Sequence, residues 1–172
     1  MSVLNMNQKL TVSFSYPTCL GSCHYKKFHN HLNNNEEFTN KMIHIIGKMI
    51  PEISNKTLPE LRTNRNYHTH PLENDKRNLV LDVLKELLKN RYSLSSYEAE
   101  KMITNQCLEM NQFWQISCPD SKGIRLIGFM QESVFIVLFI DYYHTIFNDQ
   151  KYNEENIESY NFNAFDYLER NR

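Results

Sequence analysis

A chain of 172 residues with 41% hydrophobic and 23% charged residues is long enough to bury a core and too apolar for wholesale disorder. Its net charge of -1 at pH 7 gives no global attraction to nucleic acid or to a membrane surface. Four cysteines (Cys19, Cys23, Cys107 and Cys118) in a chain of this size read as free thiols rather than as a disulfide frame.

The first ten residues, MSVLNMNQKL, lack the basic and long apolar regions of a signal peptide, and the apolar run at 134–140 is too short to span a bilayer. A cytoplasmic protein with no membrane partner is therefore expected. Charge is uneven along the chain. Lys56 to Arg91 leans basic, and the segment after Phe147 leans acidic, with Asp149, Glu154, Glu155, Glu158, Asp166 and Glu169.

In chain order, Lys9 to Tyr16 alternates apolar and polar residues, which predicts a half-buried strand at an outer position of a sheet, ended by Pro17. Phe38, Met42, Ile45, Ile46 and Met49 recur at helical spacing, with Pro51 as the expected stop. A short helical turn is expected over 57–61 and a polar connection from Thr63 to Pro71. Asp75 to Asn90 predicts a second helix, with Leu79, Val80, Val83, Leu84, Leu87 and Leu88 on one broad face. Ser95 and Glu98 form a capping-box signature for a third, whose inner face would be Ala99, Met102, Ile103 and Cys107.

A strand over Phe113 to Cys118 then leads into a hairpin of Ile124 to Met130 and Val134 to Ile140 around Gln131-Glu132-Ser133. The second of these strands has no polar interruption and belongs inside a sheet, covered on both sides. The predicted fold is a single α+β domain over 1–172: a mainly antiparallel sheet of the N-terminal strand and a C-terminal three-strand meander, three helices packed on one face, and an acidic aromatic tail at 148–172.

Three constellations could carry chemistry. A tight hairpin brings Arg125 close to Ile140 and Asp141, and His144 follows at the same strand exit. A guanidinium, a carboxylate and an imidazole then converge, or Arg125 and Asp141 form a structural ion pair. Arg65-Asn66 with His70 fits the Arg-Asn-x-x-x-His spacing of the HEPN ribonuclease motif, although HEPN domains are all-helical and His70 is followed by Pro71. Cys19, Cys23, His24, His29 and His31 offer zinc-ligand types, but only the C-x3-C part has an accepted spacing, so no metal and no cofactor is expected. Trp114, Tyr142 and Tyr143 could stack bases, with Trp114 more simply read as core.

The segments IRLIGF and VFIVLFIDYYHTIF, within about residues 112–147, resemble the closing strands of RelE-like ribonuclease toxins. Those pair an Arg-containing strand with an apolar strand ending in a His-x-x-Tyr-type segment. More of the chain is similar to small uncharacterised proteins of bacteria and mobile elements. The shared positions are Phe14-Ser15-Tyr16, His70-Pro71, Arg125 to Phe129 and Asp141 to His144.

The RelE resemblance implies a metal-independent endoribonuclease acting on RNA, with His144 as general acid or base, Arg125 as phosphate clamp and His70 as a second proton-transfer group beside Asp141. The alternative is a non-enzymatic, anti-CRISPR-like protein of a phage or mobile element, whose tail residues Tyr152, Tyr160, Phe162, Phe165 and Tyr167 dock on a basic partner. The protein partner would be an antitoxin in the first case and a host defence nuclease in the second.

Overall fold

The computed structural model describes residues 7–107, 112–147 and 157–170. A five-stranded sheet runs in the order β1-β7-β6-β5-β4. Its strands are β1 (Thr11–Ser13), β4 (His70–Leu72), β5 (Phe113–Ile116), β6 (Arg125–Gln131) and β7 (Val134–Asp141). β1 pairs parallel to β7 and the other pairs are antiparallel, an α+β arrangement with the N-terminal strand at an edge, as expected. A separate two-stranded ribbon joins β2 (His24–Tyr25) to β3 (Phe28–His29).

β7 lies between β1 and β6, and Phe135, Val137 and Phe139 are fully buried. The helices cover both faces of the sheet rather than one. Phe135, Val137, Leu126 and Trp114 pack with Ile45, Met49, Ile53, Leu58 and Leu61 on one side. Ile127, Leu138, Phe139 and Phe113 pack on the other with Val80, Val83, Leu84 and Leu87 of α4 (Asn74–Tyr92) and Ala99 and Ile103 of α5 (Ser96–Cys107). Strands with no polar face require this two-sided cover. The predicted capping box of α5 is formed: Ser95 N–H donates to Glu98 Oε2 at 2.8 Å, and Glu98 N–H donates to Ser95 Oγ at 3.3 Å.

The first helix does not stop at Pro51. α1 (Asn35–His44) passes through a π-helical turn at Ile45–Met49 into α2 (Ile50–Ser54). Ile50 N–H donates to Ile45 O, five residues back, and this wider turn lets the helix continue through Pro51. The wider turn also rotates the helix, which leaves Ile46 59% exposed while Ile45 and Met49 are fully buried. α3 (Leu58–Thr63) follows.

The polar connection is likewise shorter than expected, because His70-Pro71-Leu72 is the edge strand β4, paired with β5. An edge tolerates Pro71, which cannot donate to the ladder.

The β6–β7 ladder carries one irregularity. Gly128 pairs with Val137 but Ile127 pairs with Phe139, so Leu138 is inserted as a bulge. Directly opposite Arg125 therefore stands Asp141, rather than Ile140.

Candidate functional site

Four strand ends meet at one rim of the sheet. β7 ends at Asp141, β6 begins at Arg125, β5 runs out into Ser117, and β4 begins at His70. Alternation along the strands puts these residues on one face. Ile127, Phe139 and Phe113 face the α4–α5 layer, and Arg125, Asp141 and Gln115 stand two residues from them on the same side. His70 is the cross-strand neighbour of Gln115.

Asp141 is fully buried and organises the turn that follows it. Its Oδ1 accepts from Thr145 N–H at 2.9 Å and from the Thr145 hydroxyl at 3.1 Å, and its Oδ2 accepts from Ile146 N–H at 2.9 Å. Burial pushes its carboxyl above the usual range, against the pull of these donors. Inside this turn His144 adopts φ 60, a left-handed conformation that histidine tolerates better than bulkier residues. Its ring stacks on Phe147, with centroids 5.5 Å apart and 26° between planes.

Two more side chains converge on the same phenyl ring. His70 meets it edge-on, with centroids 5.4 Å apart at 79°. Lys76, in the first turn of α4, places its ammonium 5.0 Å from the ring centroid while donating to Ile146 O at 2.6 Å. His70 and His144, 74 positions apart in sequence, thus share one neighbour with a cation between the elements that carry them.

Arg125 lies behind this cluster and is 2% exposed. Its Nη1 donates to Ser117 Oγ, Ser121 Oγ and Ile124 O, each at 3.0 Å. Arg125 and Asp141 face each other in register, yet these bonds tie the guanidinium to the β5–β6 connection and those of Asp141 serve its own turn. The charge of Arg125 is felt by His68, which burial first, and then Arg125 and His70, hold below the ordinary histidine range.

The expected quartet of His70, Arg125, Asp141 and His144 is therefore gathered at one rim, with unequal access. Asp141 and Arg125 are internal struts, His144 is 8% exposed and His70 is half-buried. Sequence reasoning missed Lys76, Gln115 and Phe147. Only β4 as a strand would have pointed to Gln115, and the segment holding β4 reads as a polar loop.

The remaining candidates lie elsewhere. Arg65 belongs to a short 3-10 turn ahead of β4. Trp114, Tyr142 and Tyr143 are buried core, and the Tyr143 hydroxyl donates to Glu37 at 2.8 Å, so none of the three offers a free stacking face. Cys19, Cys23 and Cys118 carry free thiols, and burial pushes Cys23 up to about 12. His24, His29 and His31 stand in a row, with ring centroids 5.0 and 5.2 Å apart. Among the described residues no group of three His, Cys, Asp or Glu side chains is arranged to hold a metal ion.

The tail residues fold back on the body. Tyr160 packs on Tyr143, Phe162 on Phe38, and Phe165 under the Arg91 guanidinium at 4.1 Å. Phe162 also exchanges backbone hydrogen bonds with Leu32. Tyr167 packs on Phe162 and stays 42% exposed, and Tyr152 lies outside the described residues.

The profile of a protein family described as "Uncharacterised protein UU032" matches residues 15–170. The chain belongs to that family. The match takes in the whole rim, from His70 to Phe147, together with every strand except β1. No curated protein and no solved structure matches the chain. Among the described residues no helix is long and apolar enough to cross a membrane.

Proposed function

We propose that the rim is the active site of an RNA-acting enzyme, a metal-independent endoribonuclease of the kind that the resemblance to RelE-like toxins suggests. The observation that carries this reading is the meeting of His70, His144 and Lys76 on the ring of Phe147. RNA supplies its own nucleophile, the 2′-hydroxyl, so cleavage asks the protein for three things: a base, an acid and a positive charge beside the phosphate. One imidazole takes the 2′-hydroxyl proton as the 2′-oxygen bonds to phosphorus. The other gives a proton to the departing 5′-oxygen. The products are a 2′,3′-cyclic phosphate and a 5′-hydroxyl.

Lys76 is the cation best placed to meet the phosphate, since Arg125 is engaged behind the site and acts as its rigid support. Local charge, rather than the net charge of -1, carries the attraction to RNA in this reading.

The test is cleavage of single-stranded RNA by purified protein in EDTA, with His70→Ala and His144→Ala as comparisons. Each variant should lower the rate by on the order of a hundredfold or more, the usual worth of a positioned acid or base. Absence of cleavage by the wild-type chain refutes the enzyme reading. A non-enzymatic protein that binds an antitoxin or a host nuclease then takes its place, with Tyr167, the most exposed of the described tail aromatics, as the first residue to mutate.

A further inference from the structure

Resting on the ribonuclease reading, we infer that Gln115 is a positioning residue, which holds His70 in the tautomer whose Nε2 is free of hydrogen and ready to act as the base. The argument is one of donors and acceptors. Gln115 is 2% exposed and lies on β5 directly across from His70. Its Nε2 donates to the carbonyl of His68 at 3.2 Å. A carbonyl only accepts, so this contact fixes which end of the Gln115 amide is nitrogen. The same amide nitrogen lies 3.5 Å from His70 Nε2. An amide nitrogen only donates, so His70 Nε2 must present its lone pair there.

The other side of the ring agrees. His70 Nδ1 lies 3.1 Å from Pro71 O, a second carbonyl, so Nδ1 carries the hydrogen. The two contacts independently assign the same neutral tautomer. The Gln115 contact is long, as catalytic hydrogen bonds often are before substrate tightens them. Gln115 Oε1 is buried with no hydrogen-bond partner, so the amide has no competing bond to turn it round.

The division of labour follows. His70 Nε2 removes the 2′-hydroxyl proton, which leaves His144, in its protonated form, to deliver a proton to the 5′-oxygen. The two rings stand on different elements, β4 and the turn after β7, and share Phe147 as a neighbour, so that separate groups can serve the attacking and the leaving oxygen.

The first measurement needs no substrate: ring-nitrogen NMR shifts of His70 in the wild-type protein and in two variants. The wild type should show hydrogen on Nδ1 and none on Nε2. Gln115→Leu removes the donor and should release this preference. Gln115→Glu puts a carboxylate, which can only accept, beside Nε2 and should place a hydrogen there. In the cleavage assay both variants should lose about tenfold or more in rate, up to the roughly hundredfold lower end for losing a positioned base altogether. His144→Ala should leave the His70 tautomer unchanged. Hydrogen on Nε2 in the wild type, or an unaltered tautomer in both variants, would overturn the inference about Gln115 whatever the activity. The expected tautomers without any RNA cleavage would uphold the hold of Gln115 on His70 and overturn the ribonuclease reading instead.

Discussion

Asp141→Asn tests how the rim is held, because it sets two effects of opposite sign against each other. The carboxylate accepts two backbone N–H groups and one hydroxyl in the turn that carries His144. Hydrogen bonds to a charged group contribute about 1.5–3 kcal/mol each, against roughly 1 kcal/mol for neutral ones. Asparagine keeps one acceptor. Its amide NH2 must then face either Thr145 N–H or Ile146 N–H, which loses one charged bond and weakens the others. Burying a neutral amide instead of an ion offsets that loss, and burial is the largest influence on the Asp141 carboxyl.

Burial already outweighs the bonds to the charge, as the raised carboxyl shows, so the loss comes from the buried N–H left facing an amide NH2, and asparagine should cost about 2 kcal/mol at neutral pH, the usual penalty of an unsatisfied donor. Denaturant unfolding followed by circular dichroism measures the difference. The pH dependence gives a second check. A carboxyl whose folded pKa is raised stabilises the fold most below its unfolded pKa and loses that contribution as pH rises through the folded value. The deficit of the asparagine variant should therefore widen as pH is lowered toward the unfolded value of about 3.9. A variant as stable as the wild type at pH 7, or more so, would show that the turn does not need both carboxylate oxygens as acceptors and would refute the role given to it.

Gly128→Ala should be severely destabilising, at or above the roughly 3 kcal/mol upper end for overpacking, because a Cβ there would collide with the carbonyl of Ile136 in the β6–β7 ladder. Thermal unfolding of the variant checks it, and a melting temperature within a degree or two of wild type would argue against the bulged register. His29, buried between His24 and His31 and pushed down to about 4 chiefly by that burial, should make the fold less stable as pH falls from about 6.5 toward 4, because the unfolded chain takes up the proton first. Replacing His29 with Asn should flatten that part of the stability–pH curve; an unchanged slope would place the effect on other groups.

The parts of the fold legible in the sequence are those where one physical demand dominates. The apolar run 134–140 had to be internal, and it is; the Ser95–Glu98 pair announced a helix start that the hydrogen bonds reproduce. The misreadings occur where a second demand overrode a local rule. Pro51 ends an α-helix only if the preceding turn is α, and a π turn removes that condition. His70 to Leu72 carries no strand pattern, and it is a strand because β5 would otherwise present an unpaired edge. A two-sided sheet then needs helices on both faces, which segregation of strands and helices along the chain does not reveal.

The site divides along the same line. Hairpin pairing was enough to bring Arg125 close to Ile140 and Asp141, and its register holds from the turn to Gly128, but which of the two stands directly opposite Arg125 was not legible, since a bulge at Leu138 leaves no mark on an uninterrupted apolar run. That single inserted residue decides the chemistry of the rim. It turns Asp141 to the face where Arg125 lies, and the buried carboxylate then folds the chain back on itself so that His144 and Phe147 return to meet His70. Without the bulge Ile140 would occupy that place, and an apolar side chain could not gather the N–H groups of Thr145 and Ile146. The strand pattern locates the site, and the irregularity within the pattern makes it a site at all.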